Sequence, residues 1–170
     1  MSVKPEKIHV QIKFKGVKQD FSAEPQEAWL LLNQFFKDMI PSFDIAQKLC
    51  LKVNLQQLAK DLNGIVAFSG DGASLLVSKS MLTDNEALLV WLVAYYLGHK
   101  LGFLVVDSLS KDELQAKLGK SSKITSTRLG ELVKDELVAK AVDDCFKIST
   151  FGVVQVQKDV IPKIKAKTSF

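Results

Sequence analysis

The stretch "ALLVWLVAYYLG", Ala87 to Gly98, carries no charged side chain over twelve residues. Thr83 precedes it, and Glu86 stands three residues after Thr83, the spacing of a capping box. His99 and Lys100 end it, followed by Gly102 as a stop signal. The pattern predicts one helix from Thr83 to about Lys100, apolar almost all the way round. A helix of that kind has to be covered on most of its faces by other elements. It therefore either joins the two halves of the chain or lies at a dimer interface. It is too short for a bilayer, which requires about 20 apolar residues.

Upstream, "KIHVQIKF" alternates apolar Ile8, Val10, Ile12 and Phe14 with polar His9, Gln11 and Lys13. That period of two predicts a half-buried strand, and Lys15-Gly16 predicts a turn into a second strand, "VKQDF". Pro25, Glu24 and Glu27 suit the start of a helix, with Trp29, Leu32, Phe36 and Met39 at helical spacing and Pro41 ending it. A short helix is expected in "FDIAQKL", then another in "VNLQQLAKDLNG" with Asn54 as cap and Gly64 as stop. "IVAFSGDGASLLVSK" predicts a hairpin, Ile65 to Ser69 and Ala73 to Ser78, around Gly70-Asp71-Gly72. The expected fold class is α+β, with a small α+β unit over residues 1–80 and a second domain over 81–170.

In the second half, Ser110 and Glu113 form another capping box opening "SKDELQAKLG", with Leu109, Leu114 and Leu118 inward. A polar turn, "KSSK", leads into the helix "ITSTRLGELVKDELV", with Leu129, Leu132 and Val133 inward. "VAKAVDDCFKIS" predicts two short strands around Asp143-Asp144, and Thr150 is positioned to cap a last helix, "FGVVQVQKDVIPKIKAK".

The order helix, short helix, polar turn, helix, hairpin, helix over roughly 82–165 resembles the winged helix-turn-helix family of archaea and bacteria. Glu113, Leu114, Leu118 and Gly119 match the family's first motif. Ser122, Ser126, Arg128, Leu129, Glu131, Leu132, Leu137 and Val138 match its recognition helix. The resemblance implies a DNA-binding protein of transcriptional-regulator type. It places the contacts with double-stranded DNA at Lys117, Lys120, Ser121, Ser122, Lys123, Ser126, Thr127 and Arg128. Lys117, Lys120, Lys123 and Arg128 bring four positive charges together, and no acid occurs between Glu113 and Glu131. Hydroxyls and backbone N–H groups at a helix start suit phosphate, and Arg128 could fork onto guanine. The chain departs from the family at the acidic tip Asp143-Asp144, at Thr125 and Ile124, and at Glu136, where a turn glycine is common. An acidic wing suits the alternative, a protein-interaction subunit that uses the same domain without DNA. Residues 1–80 match no family and would serve in dimerisation or sensing. A homodimer or a protein partner would engage them or the Thr83–Lys100 helix.

No catalytic constellation stands out. His9 points away from the core, and His99 ends a helix where a cation favours the dipole. Gly70-Asp71-Gly72 lacks the lysine and further glycines of a phosphate loop. Trp91, Tyr95 and Tyr96 fall at helical spacing and are expected to pack rather than stack on bases. Lys163, Lys165 and Lys167 form a basic tail. No metal site, cofactor or enzyme activity is expected, and a site invisible in sequence would be needed for one. Cys50 and Cys145 are far apart, without metal-ligand spacing, and are expected to be buried free thiols. The start "MSVKPEKIHV" lacks the apolar core of a signal peptide, so no membrane association and a cytoplasmic setting are expected. The formal charge of +4 is compatible with a polyanionic partner, but many soluble proteins share it.

Overall fold

The computed structural model describes residues 7–40, 50–70 and 72–168. It is a mixed α+β protein with small antiparallel sheets and divides into two compact units, Met1–Cys50 and Leu51–Phe170. The boundary lies about thirty residues before the expected one at 80/81. The reason is packing. Leu58, Leu62, Ile65, Ala73 and Val77 share one buried cluster with the apolar helix that follows them.

In the first unit, β1 (Ile8–Phe14) and β2 (Val17–Ala23) form a hairpin in the register Ile8↔Ala23 to Phe14↔Val17. Lys15 and Gly16 turn it with φ of 48° and 84°, both positive as a two-residue type I′ turn requires. Val10, Ile12 and Phe14 are half-buried, while His9, Gln11 and Lys13 face solvent. Across that outer face Gln11 donates to Asp20 at 3.1 Å, and His9 lies 3.3 Å from the same carboxylate. Helix α1 (Pro25–Met39) starts on Pro25 and buries Ala28 and Phe35. Of the four apolar residues at helical spacing, Leu32, Phe36 and Met39 are half-buried and Trp29 is not. Trp29 is 62% exposed, because a step of about 100° per residue carries it away from the Ala28–Phe35 line. The helix expected in "FDIAQKL" lies outside the described residues.

The second unit is built round α3 (Asp84–Lys100). Its N-terminus carries the predicted capping box, with Thr83 accepting from the Glu86 N–H and Glu86 accepting from the Thr83 N–H at 2.9 Å. Ten of its residues, from Ala87 to Gly98, are buried. Before it come α2 (Leu55–Leu62), capped by Asn54, the strand pair β3 (Val66–Ser69) and β4 (Gly72–Leu75), and a 3-10 turn Lys79–Met81. After it come β5 (Leu109–Ser110), α4 (Lys111–Leu118), α5 (Ser122–Lys134), β6 (Val138–Lys140) and β7 (Cys145–Ile148). The described residues close with α6 (Thr150–Gln155), a π turn Val156–Val160 and α7 (Ile161–Thr168). These elements cover α3 on most faces: α2, β4, α4, α5, β7 and the π turn all pack against it. Among the described residues no helix is long and apolar enough to cross a membrane.

Two helix starts differ from expectation. Ser121 caps α5, so Ser122 and Lys123 belong to its first turn instead of to a loop. Ser149, not Thr150, caps α6, accepting from the Gly152 N–H at 2.8 Å. In both cases the serine earlier in the chain places its oxygen over the third helical N–H. The thiols also differ. Cys50 is exposed and Cys145 half-buried, and both are free.

The end of α5 stores a local strain. Glu136 donates to the Val133 carbonyl and Leu137 to that of Leu132, the paired bonds of a Schellman motif. The motif puts Glu136 at φ 59°, where a Cβ is unfavourable. Glu136→Gly is expected to stabilise the protein by about 0.5–1 kcal/mol. Urea unfolding checks it, and an unchanged or lowered midpoint would contradict the strain.

Candidate nucleic-acid interface

The site is assembled by α4, the tight turn at Gly119–Ser121, α5 and the β6–β7 hairpin. Gly119, at φ 72°, ends α4 and lets the cap of α5, Ser121, follow two residues later. Leu114 and Leu118 of α4 and Leu129 and Leu132 of α5 are buried in the common core, which sets the angle between the helices. Thr125 stands where an apolar residue would be usual and is fully buried. Its hydroxyl donates to the Ser121 carbonyl at 3.1 Å, so its polar group is satisfied. β7 lies between β5 and β6, with Leu109 opposite Phe146 and Val138 opposite Ile148. The hairpin turns on Asp143 and Asp144, at φ 56° and 52°, and Cys145 donates to the Val142 carbonyl at 3.2 Å.

The eight residues predicted to contact DNA are not equivalent. Lys117 is taken up inside the unit: its amine sits 4.1 Å over the Trp91 ring and 5.4 Å from that of Tyr95. Burial, helped by Lys79, holds this amine below the ordinary lysine value against the opposing pull of Glu113. It fastens α4 to α3 and is not part of the outward face. Trp91 also keeps its ring N–H buried without a partner among the described residues. Arg128 is half-exposed, and one of its terminal nitrogens donates to both carboxylate oxygens of Glu131, at 3.0 and 2.9 Å. Asn85 of α3 donates to the same carboxylate at 3.2 Å. The bonds from Arg128, then those from Asn85, hold the Glu131 carboxyl below its usual range. Arg128 thus lies on the flank of α5 that faces α3, with one of its terminal nitrogens engaged. Lys120 lies 3.9 Å from Asp84, a loose pair between side chains that both keep contact with solvent. Ser121 is committed to its cap, and the Thr127 hydroxyl donates to the Lys123 carbonyl. Ser122, Lys123 and Ser126 are exposed.

Helical spacing defines the outward face of α5. Lys123, Thr127, Gly130 and Lys134 recur at steps of four, three and four, with Ser126 beside them, and all are exposed. No carboxylate lies on that line, since Glu131 is turned towards Arg128 and Asn85. Gly130 and Lys134 were missed by the sequence reading, although Lys134 follows Lys123 by eleven residues and so lies on the same face. Nothing in the fold requires a glycine at position 130, because a Cβ there would meet no atom within 4 Å. A glycine inside an exposed helix is about 1 kcal/mol less favourable than alanine.

Between this face and the hairpin runs a groove of about 660 Å³. Leu129, Val133 and Phe146 contribute its apolar wall, and Ser126 and Gly130 its helical edge. Lys111 and Lys140 line it together with Asp112, Asp143 and Asp144. The acidic tip thus borders the groove, and Val142 beside it is 81% exposed. Among the described residues no three His, Cys, Asp or Glu side chains gather as a metal ion would require. Comparison of the chain with protein families, with curated proteins and with solved structures finds no match.

Proposed function

We propose that this chain binds double-stranded DNA as a winged helix-turn-helix protein, with α4 and α5 as the helix pair and β6–β7 as the wing. In this reading α5 enters the major groove, and the protein acts in transcriptional regulation. One observation carries the proposal: the exposed face of α5 presents Lys123, Ser126, Thr127, Gly130 and Lys134 without a carboxylate. Two lysines would neutralise phosphates, the hydroxyls would accept or donate at the backbone or base edges, and Gly130 would allow close approach. Arg128 would contribute through the N–H donors that Glu131 does not engage, or by exchanging Glu131 for a base or phosphate.

Titration of a random duplex at several salt concentrations tests it. Affinity is expected to fall as salt rises. Lys123→Ala and Lys134→Ala are each expected to lower the log–log salt slope by about 0.9, as the loss of one phosphate contact does. Lys117→Ala is expected to leave the slope unchanged. Absence of binding at low salt would remove the proposal.

A specific observation favours a second reading, a protein-interaction module. Asp143 and Asp144 at the hairpin tip would repel phosphates, while the exposed Val142 and the partly apolar groove suit a protein segment. Charge decides between the two readings. Asp143→Asn with Asp144→Asn should strengthen duplex binding if the hairpin faces DNA.

A further inference from the structure

Among the described residues the hairpin of the first unit has an open edge, and its chemistry selects what fits there. Phe14↔Val17 flanks the two-residue turn and is therefore a hydrogen-bonded pair of the ladder. Counting back from it, Ile12, Val10 and Ile8 also bond inward to β2. The N–H and C=O groups of His9, Gln11 and Lys13 consequently point out of the β1 edge. Among the described residues β1 has one neighbour, β2. By the same count the outer edge of β2 presents Lys18, Asp20 and Ser22.

We propose that two copies of this chain pair through β1, antiparallel, with Gln11 on the two-fold axis. Three observations support a second copy. First, β1 is self-complementary about Gln11: all seven of its residues pair, His9 with Lys13, Val10 with Ile12 and Ile8 with Phe14. Its outward-bonding residues meet only one another in this register. Second, β2 is not self-complementary. A two-fold at its centre sets Asp20 directly opposite Asp20, and like charges at that spacing are destabilising. Third, among the described residues the unit leaves apolar side chains exposed. Ala23, Ala28 and Phe35 are buried there, whereas Ile8, Val17, Trp29 and Leu30 are 41–68% exposed. The two-fold extends the hairpin into a four-stranded sheet and keeps both half-buried faces on one side, so both α1 helices lie on that side. A sheet of three or more strands is a broader layer than the single hairpin that rests on each α1.

The test uses the full chain. Light scattering should give twice the chain mass at about 100 μM. Gln11→Cys, in a Cys50→Ser background, should form an interchain disulfide on mild oxidation, because hydrogen-bonded antiparallel partners stand about 5.5 Å apart at Cα. Asp20→Cys in the same background should not. Gln11→Pro removes an outward N–H that β2 does not use, a position where an edge strand tolerates proline. It is expected to weaken the dimer at least a hundredfold while circular dichroism stays unchanged. A monomer at that concentration, or equal cross-linking through positions 11 and 20, would overturn the proposal. A dimer unaffected by Gln11→Pro would overturn it too. None of these readouts involves DNA, so they stand or fall separately from the functional proposal.

Discussion

Gly152→Ala is expected to destabilise the protein by about 3 kcal/mol, and Gly130→Ala to stabilise it by up to about 1 kcal/mol. The two substitutions add the same methyl group to exposed and buried helical glycines. At Gly152 a Cβ would fall on the carbonyl oxygen of Leu137 and 2.8 Å from Cγ1 of Ile148. The carbonyl cannot retreat freely, since it accepts the Ser149 N–H at 3.0 Å. Ser149 in turn donates its hydroxyl to the Glu136 carbonyl at 2.7 Å, so the start of α6 and the entry to β6 are bonded together there. The methyl group has to push them apart. At Gly130 it meets open space and gains the helix propensity of alanine. Urea unfolding of both variants reads the difference in sign. A neutral Gly152→Ala would show that α6 can move from β6 without loss. A Gly130→Ala variant that is more stable and yet binds duplex more weakly would mark position 130 as a place of close approach.

Leu92→Ala is expected to destabilise the protein by about 3–4 kcal/mol. Leu92 is fully buried in the middle of α3, within the cluster that holds α2, β4, α4, α5 and β7 around it. Truncation removes several methylene groups and leaves a cavity that elements fixed on all sides cannot close. A chemical denaturation midpoint measured against Lys100→Ala, exposed at the end of the same helix, checks it. A loss below about 1 kcal/mol would mean that the core relaxes around the site.

Local pattern made much of the fold legible. Both capping boxes form as spaced, because a cap is satisfied within four residues and owes little to distant structure. The alternation in β1, the turn at Lys15-Gly16 and the strands either side of Asp143-Asp144 are equally local signals. The winged-helix reading of 82–165 rests on the order of such elements and stays a proposal. What pattern could not place was the domain boundary. A hairpin and a short helix carry no label for the neighbour they pack on, and β3–β4 and α2 join α3 only through the side chains they bury together. Helical spacing on α1 likewise does not single out the exposed Trp29 from Leu32, Phe36 and Met39, because several apolar residues in a row allow more than one inward stripe.

The candidate site divides in the same way. Sequence alone determined that Lys120, Lys123 and Arg128 lie near one another, since they share a turn and a helix. It also determined that α3 is covered on most faces, since twelve uncharged apolar or small residues leave it no solvent side. Tertiary structure alone decided what each cation does. Lys117 is claimed by the rings of Trp91 and Tyr95, which come from another helix. Arg128 is claimed by Glu131, whose carboxylate is held in place by Asn85 from 46 residues earlier. A charge is available to a partner only after neighbours from its own chain have been counted. Those neighbours are set by the packing of α3, α4 and α5, which no local spacing encodes.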